Sequence, residues 1–331
     1  MIRRHLQQVA QVLREAKSVV LACHLNPDGD TLGCALALQA TLEGLGKRVI
    51  TLSSDGVPEI YRFLPGAEKI LTSTEQRGFD VAVVCDTGMP ERIGKAKDAV
   101  FSARIVVDID HHVTEGAFGD IRIQQPKAAA TAEIVYRLLK VMDVPITPAI
   151  ATCLLTGIIT DTGLYRYMNV SPTTFRLSAT LMEAGASPAQ IAEEVFERRS
   201  FPSVKLLGRA LEHIRQEEDG RLVWSYLSHE DFAELGATDE DTEGIITQLR
   251  AVRDSVVLAL LREVKPGRVR VSVRSRDERI DMAKLAEKFG GGGHRLAAGF
   301  WVEGNIAEVK QKVIETLREW MHCSTSTSQR V

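Results

Sequence analysis

The stretch His24-Leu25-Asn26-Pro27-Asp28-Gly29-Asp30 decides the fold, because it places one histidine and two aspartates between two apolar segments. Residues 18–23 before it predict a buried strand, and residues 31–46 after it predict a helix. Asn26-Pro27 and Gly29 break regular structure, so the acids lie on a tight loop at the carboxyl end of a strand. Open α/β sheets bind ligands there, and imidazole and carboxylate groups suit divalent cations. Taken alone, the stretch also fits a capped turn with surface acids.

Two later strands end in the same kinds of residue. Residues 80–85 form an apolar run that ends at Asp86, and residues 104–109 lead into Asp-His-His at 110–112. Strands that alternate with helices predict an α/β fold with a mostly parallel sheet and helices on both faces. Because the carboxyl ends of parallel strands share one edge of a sheet, we expect these acids and histidines to meet.

A fourth segment adds another acid. The apolar residues 148–160 predict a buried helix that ends at Asp161, and a carboxylate there costs free energy unless it is paired or binds a metal. Each acid taken singly also fits a turn, and a buried histidine also fits a hydrogen-bonded core. Together the four segments supply a metal-binding set, which is His24, Asp28, Asp30, Asp86, Asp110, His111, His112 and Asp161. Two-metal phosphoester hydrolysis, with cations about 4 Å apart, needs such a set and one bridging carboxylate.

Composition limits the classes of protein that remain. The 331 residues are 44% hydrophobic and 26% charged, which is typical of a globular chain with two domains. Five widely spaced cysteines indicate reduced thiols, and no segment resembles a secretory signal or a membrane span, so we expect a cytoplasmic protein without membrane contact. A net charge of -3 argues against a protein that coats long nucleic acid.

The domain boundary is predicted near the break at residues 198–202. We expect a first domain at residues 1–186, linker helices at 187–208, a smaller α/β domain at 209–322 and a disordered tail at 323–331.

The second domain contains two features suited to an anionic ligand. Residues 268–276 alternate polar residues with valines, which predicts a strand with four arginines and one serine on one face. For Arg268 and Arg270 the simpler interpretation is a strand face exposed to solvent. Arg274 and Ser275 lie nearest in sequence to the glycine run at 290–293, so they are the better candidates for binding an anion. Backbone N–H groups of a glycine run can approach a phosphate, although four glycines also fit a flexible turn.

These motifs together resemble a known family. His24-x-Asn26-Pro27-Asp28-x-Asp30, Asp86, Asp110-His111-His112 and Asp161 resemble the four-motif signature of the DHH phosphoesterases, and Gly290-Gly291-Gly292-Gly293-His294 resembles the signature of their associated C-terminal domain. The resemblance covers nearly the whole chain. Length and domain order are most similar to the NrnA-like branch of bacterial nano-RNases, which also remove the 3′-phosphate of 3′-phosphoadenosine 5′-phosphate (PAP).

The resemblance implies a role for each residue of the metal-binding set. One Mn²⁺ is expected to bind His24, Asp28 and Asp86, and a second is expected to bind Asp30, Asp86, His111 and Asp161, with Mg²⁺ or Co²⁺ as substitutes. His112 is expected to face the scissile phosphate, with Asp110 orienting a histidine. In the C-terminal domain the implied substrate-binding residues are Arg274, Ser275, Gly291, Gly292, Gly293 and His294.

The implied activity is hydrolysis of short oligoribonucleotides, including linear dinucleotides, to mononucleotides and of PAP to AMP, by a metal-activated water. A manganese inorganic pyrophosphatase, a RecJ-type single-strand exonuclease and a non-catalytic nucleotide-binding protein remain alternatives. The glycine-rich C-terminal motif argues against the pyrophosphatase, mild acidity argues against the long-strand exonuclease, and the intact ligand set argues against a mere binder. A homodimer is compatible with the sequence, as is a monomer.

Overall fold

A computed structural model describes residues 2–113 and 118–326, with the side chains of His294 and residues 324–326 left out. The chain forms two compact units, Met1–Arg198 and Arg199–Val331, and their boundary falls inside the predicted linker at 187–208. Within the described ranges, no helix combines the length and the apolar character needed to cross a membrane.

The first unit is built on a sheet of five parallel strands, as the sequence predicts. Their order across the sheet is β2-β1-β3-β4-β5. The strands are β1 (Ser18–Ala22), β2 (Arg48–Leu52), β3 (Val81–Cys85), β4 (Ile105–Asp110) and β5 (Ile121–Gln124). Strand β5 was not predicted, because it has only four residues, of which only Ile121 and Ile123 are buried.

Helices cover both faces of this sheet. The helices of the first unit are α1 (Ile2–Glu15), α2 (Gly29–Gly44), α3 (Lys97–Phe101), α4 (Thr131–Val141), α5 (Pro148–Asp161), α6 (Pro172–Glu183) and α7 (Pro188–Ala192). The larger core lies under α1, α2, α4 and α5, and a smaller core lies under α3 on the opposite face. Helices α2 and α5 pack so closely that a Cβ at Gly33 would lie only 2.2 Å from the carbonyl oxygen of Cys153, so this position requires glycine.

The second unit has a mixed sheet of six strands in the order β10-β11-β9-β8-β7-β6, in which β7 and β8 pair in parallel and the other neighbouring strands within the described residues pair antiparallel. The strands are β6 (Arg215–Glu217), β7 (Leu222–Leu227), β8 (Val257–Lys265), β9 (Arg268–Ser275), β10 (Gly292–His294) and β11 (Ala297–Glu303). The helices are α8 (Phe201–Glu212), α9 (His229–Leu235), α10 (Ile245–Gln248), α11 (Met282–Glu287) and α12 (Ile306–Ser326). One core lies between the sheet and α11 and α12, and another lies under α8, α9 and α10.

Two predictions for the second unit differ from the structure. The glycine run fits a flexible turn in the sequence, yet Gly292–His294 form an edge strand paired with β11. The tail was expected from residue 323, yet α12 continues to Ser326. The remainder of the predicted tail, residues 327–331, lies outside the described residues.

Candidate metal centre

Adjacent strands bring the predicted ligands to one edge of the parallel sheet. His24 follows β1, Asp86 follows β3 and His111 follows β4, and these three strands are neighbours in the sheet. Asp28 accepts the N–H groups of Asp30 and Thr31 as the N-cap of α2, which places the acids of this loop at the same edge. Asp161 is the last residue of α5.

Three groups of side chains have ligand atoms close enough to hold a cation. In each group the ligand atoms all lie within 4.8 Å of one another. The groups are His24 with Asp28 and Asp86, Asp30 with His111 and Asp161, and Asp86 with His111 and His112. Asp86 and His111 each occur in two groups, so the groups form one continuous centre. Asp86 therefore has the position that a bridging carboxylate needs.

The imidazole nitrogens point at carboxylate oxygens. His24 Nε2 lies 3.4 Å from Asp86 Oδ2 and 3.7 Å from Asp28 Oδ1. His111 Nε2 lies 2.9 Å from Asp161 Oδ2 and 3.5 Å from Asp86 Oδ1, yet it is buried and has no hydrogen bond of acceptable geometry in the described part of the chain. A buried nitrogen that faces two carboxylates without a hydrogen bond fits a divalent cation shared between these donors.

The amino end of α4 holds Asp30. Its side chain is fully buried, and its oxygens accept the N–H groups of Thr131 at 2.6 Å and Ala132 at 2.9 Å. A Cβ at Gly157 would lie 2.5 Å from Asp30 Oδ1, so α5 needs a glycine beside this carboxylate. A carboxylate oxygen has two lone pairs and can bind a cation in addition to an N–H group.

Thr131 is a site residue that the sequence did not reveal. Its hydroxyl donates to Asp86 Oδ1 at 2.9 Å, while its backbone N–H bonds to Asp30. Asp86 itself has φ of +65°, a strained conformation for a residue other than glycine, and its N–H donates to the carbonyl of Ile109 at 2.9 Å. A threonine at the start of a helix is common, so sequence reading had no signal that linked Thr131 to the two acids.

Asp110 orients His112. Its Oδ1 accepts both the backbone N–H of His112 at 3.0 Å and the ring Nδ1 of His112 at 2.8 Å. The amide of Gln124 donates to the carbonyl of His112 at 2.6 Å, which fixes the same residue from β5. The His112 ring thus has a defined orientation, with Nδ1 toward Asp110.

Burial and close carboxylates shift the pKa values of the side chains in this centre. Burial lowers the pKa of His24 and of His111, but the surrounding carboxylates outweigh it and raise each to about 10. Burial, together with Asp86 and Asp161, holds the pKa of Asp30 well above its ordinary value, and burial raises the pKa of Asp161 to about 6. Without a cation, the negative charge of the clustered carboxylates would be compensated by protons on the histidines and on Asp30. A bound cation would compensate the same charge and displace these protons.

The predicted substrate-binding residues lie in the second unit. Arg274 of β9 is opposite Ala297 of β11, and Ser275 ends β9 with its hydroxyl bonded to the carbonyl and the N–H of Asp277. Gly291 and Gly293 pack against β11, where a Cβ would lie 2.4 Å and 2.5 Å from carbonyl oxygens. Gly292 has open space beside it, and the side chain of His294 lies outside the described residues.

Family profiles match most of the chain. The profile described as the DHH family, N-terminal domain, matches residues 18–158, and the DHHA1 domain profile matches residues 219–322. A curated relative from Thermus thermophilus, named bifunctional oligoribonuclease and PAP phosphatase NrnA, is 34% identical over 318 residues, which are 95% of this chain and 94% of the relative.

Solved structures share the fold. An exopolyphosphatase-related protein from Bacteroides fragilis superposes with a TM-score of 0.90 at 24% identity and covers 98% of both chains. RecJ from Thermus thermophilus, solved in complex with Mn²⁺, superposes with a TM-score of 0.57 at 14% identity, over 96% of this chain and 54% of RecJ.

Proposed function

The chain belongs to the family of DHH phosphoesterases, and from this premise we propose that it is a Mn²⁺-dependent enzyme that hydrolyses short oligoribonucleotides to mononucleotides and PAP to AMP. The observation that carries the proposal is the carboxylate-rich centre around Asp86. The 34% identity to a bifunctional oligoribonuclease and PAP phosphatase over nearly the full length supports this substrate class.

The donor set supports the proposal of two cation positions. His24, Asp28 and Asp86 would hold one Mn²⁺, and Asp30, Asp86, His111 and Asp161 would hold the other. When bound, the cations would supply Lewis-acid polarisation of the phosphoryl group and a lowered pKa of a water, which could then lose a proton to give a hydroxide nucleophile. Mn²⁺ accepts both imidazole and carboxylate ligands, and RecJ, which shares the fold, binds it. Mg²⁺ and Co²⁺ are expected substitutes.

His112 would act on the substrate rather than on a metal. Asp110 holds the Nδ1 side of the ring, so Nε2 would be the atom that faces a phosphate oxygen. In the second unit, the proposed substrate-binding residues are Arg274, Ser275, Gly291, Gly292, Gly293 and His294. A planar guanidinium suits a terminal phosphate, because it can form two parallel hydrogen bonds with it.

One experiment tests the function directly. The purified protein is loaded with Mn²⁺ and assayed on PAP, on 5′-phosphorylated RNA from dinucleotides to about ten-nucleotide chains, and on pyrophosphate, with a chelator-treated sample as control. We expect turnover of PAP and dinucleotides, decreasing rates as RNA lengthens, and none without metal. Preferred hydrolysis of pyrophosphate, or equal rates on short and long RNA, would instead support one of the alternative enzymes.

A further inference from the structure

Arg92 places a guanidinium beside the metal centre. Its Nη2 lies 3.3 Å from Nδ1 of His24, and the side chain is half-buried. Across residues 2–113 and 118–326, no carboxylate forms an ion pair with it. An arginine beside a histidine of the centre, without such a pair, is available to bind another anion.

The turn that carries Arg92 is anchored to the loop after β1. The Arg92 carbonyl accepts the N–H of Leu25 at 2.6 Å, and Ser54 Oγ accepts the N–H of Lys95 at 2.8 Å. Gly94 has φ of +52°, and a Cβ there would lie 2.6 Å from Ser54 Oγ and 2.7 Å from Leu25. Glycine at position 94 therefore lets this turn approach Ser54 and Leu25 closely. The approach and the two hydrogen bonds hold Arg92 against the loop that carries His24.

Metal binding by His24 would remove the acceptor that Arg92 has on the histidine ring. A cation held by Nε2 of His24 would leave the ring proton on Nδ1, where the carbonyl of Leu25, 2.9 Å away, could accept it. Nδ1 can then no longer accept from Arg92, because both atoms are donors. The guanidinium consequently has no acceptor on His24 once the centre is loaded.

We propose that Arg92 is a substrate-binding residue that donates to the phosphate oxygens of a ligand held at the metal centre. The inference rests on the proposed phosphoester function and extends it to a residue outside the metal-binding set. An anionic phosphate near Asp28 and Asp86 needs cationic partners beyond the metals, and a guanidinium fork matches phosphate geometry.

The test compares phosphate binding by Mn²⁺-loaded variants. Arg92→Ala, Arg92→Lys and the control Lys95→Ala are loaded with Mn²⁺, their metal content is measured, and inorganic phosphate is titrated by calorimetry. Lys95 is exposed on the same turn, so its removal changes the net charge equally. We expect unchanged metal content in all three, a Kd for phosphate raised roughly 10- to 100-fold in Arg92→Ala, a smaller rise in Arg92→Lys, and no change in Lys95→Ala.

Other outcomes overturn the proposal. If Arg92→Ala binds Mn²⁺ poorly but binds phosphate normally at saturating metal, Arg92 supports His24 instead. If phosphate fails to bind the loaded wild-type protein, or if Arg92→Ala and Lys95→Ala weaken it equally, the assignment is also wrong. These readouts do not depend on which ester is cleaved, so a wild-type protein inactive on PAP and RNA would refute the proposed function without deciding the role of Arg92.

Discussion

The backbone N–H of Thr131 donates to Oδ2 of Asp30 at 2.6 Å across 101 residues of sequence. The threonine hydroxyl bonds at the same time to Asp86, so one residue connects carboxylates that belong to both predicted cation positions. The amino end of a helix carries partial positive charge, which makes it a suitable support for a buried carboxylate. Helix α4 thus orients ligands although it supplies none.

Removing the Thr131 hydroxyl tests this connection. Thr131→Val keeps the backbone bond to Asp30 but loses the bond to Asp86, so we expect Mn²⁺ affinity or turnover to fall roughly 10- to 100-fold. Thr131→Ser keeps a hydroxyl and should resemble the wild type. Metal titration and steady-state kinetics of both variants provide the measurement, and equal behaviour of the two would show that the hydroxyl does not support Asp86.

Asp86 and Asp110 should respond differently to truncation. Because Asp86 lies in two of the ligand groups, Asp86→Ala should lose most of the bound metal and nearly all turnover. Asp110→Ala removes the acceptor that orients His112, so metal should remain while activity falls roughly 10- to 100-fold. Metal content and turnover of the two proteins check this, and near-normal turnover by Asp86→Ala would rule out the bridging role.

The stability of the metal-free protein should fall as the pH rises. The pKa values of His24 and His111 are about 10 in the folded protein, against an ordinary value of 6.5, so their stabilisation is complete below pH 6.5 and is lost as the pH rises through about 10. The raised pKa of Asp30 acts with the same sign. Urea unfolding in the presence of a chelator, between pH 6.5 and pH 10, should show a decreasing free energy of unfolding.

Mn²⁺ binding should release protons, so the affinity for Mn²⁺ should increase with pH. A metal-bound imidazole is neutral at the ligating nitrogen, so binding at pH 8 should release about two protons from His24 and His111. Calorimetric titrations in two buffers of different ionisation enthalpy count these protons, and affinity should increase with pH. Proton-independent binding would contradict the raised pKa values of these histidines.

Arg274 should matter most for substrates with a terminal phosphate. A lost charged hydrogen bond is worth about 1.5–3 kcal/mol, so Arg274→Ala should lower kcat/KM roughly 10- to 150-fold on 5′-phosphorylated dinucleotides, mainly through KM. Arg268→Ala, an exposed arginine of the same strand face paired with Glu303, is the control. An equal loss on phosphorylated and unphosphorylated dinucleotides would show that Arg274 does not bind the terminal phosphate.

Two neighbouring glycines should separate packing from substrate binding. A Cβ at Gly291 would lie 2.4 Å from the carbonyl oxygen of Gly299, so Gly291→Ala should lower the free energy of unfolding by about 1–3 kcal/mol. A Cβ at Gly292 would have no heavy atom within 4 Å, so Gly292→Ala should change stability by less than about 0.5 kcal/mol. Loss of activity in a stable Gly292→Ala protein would indicate close approach of substrate, and full activity would argue against contact there.

The sequence by itself determined the parallel first sheet and which acids and histidines meet at its edge. Apolar runs of strand length end at Asp86 and at Asp110-His111-His112. These runs therefore predict both where each strand ends and which acids and histidines follow it. Parallel connectivity then brings those ends to one edge, so their convergence follows without further information. The family resemblance of the same motifs is confirmed by the profile matches.

Only the tertiary structure decided how these donors are supported. The bonds from Thr131 to Asp30 and Asp86, and the approach of Arg92 to His24 across 68 residues, are not encoded by local pattern. Periodicity and side-chain type set local conformation and chemistry, whereas these contacts depend on the close packing of elements distant in sequence, such as α2 and α5 at Gly33 and Gly157.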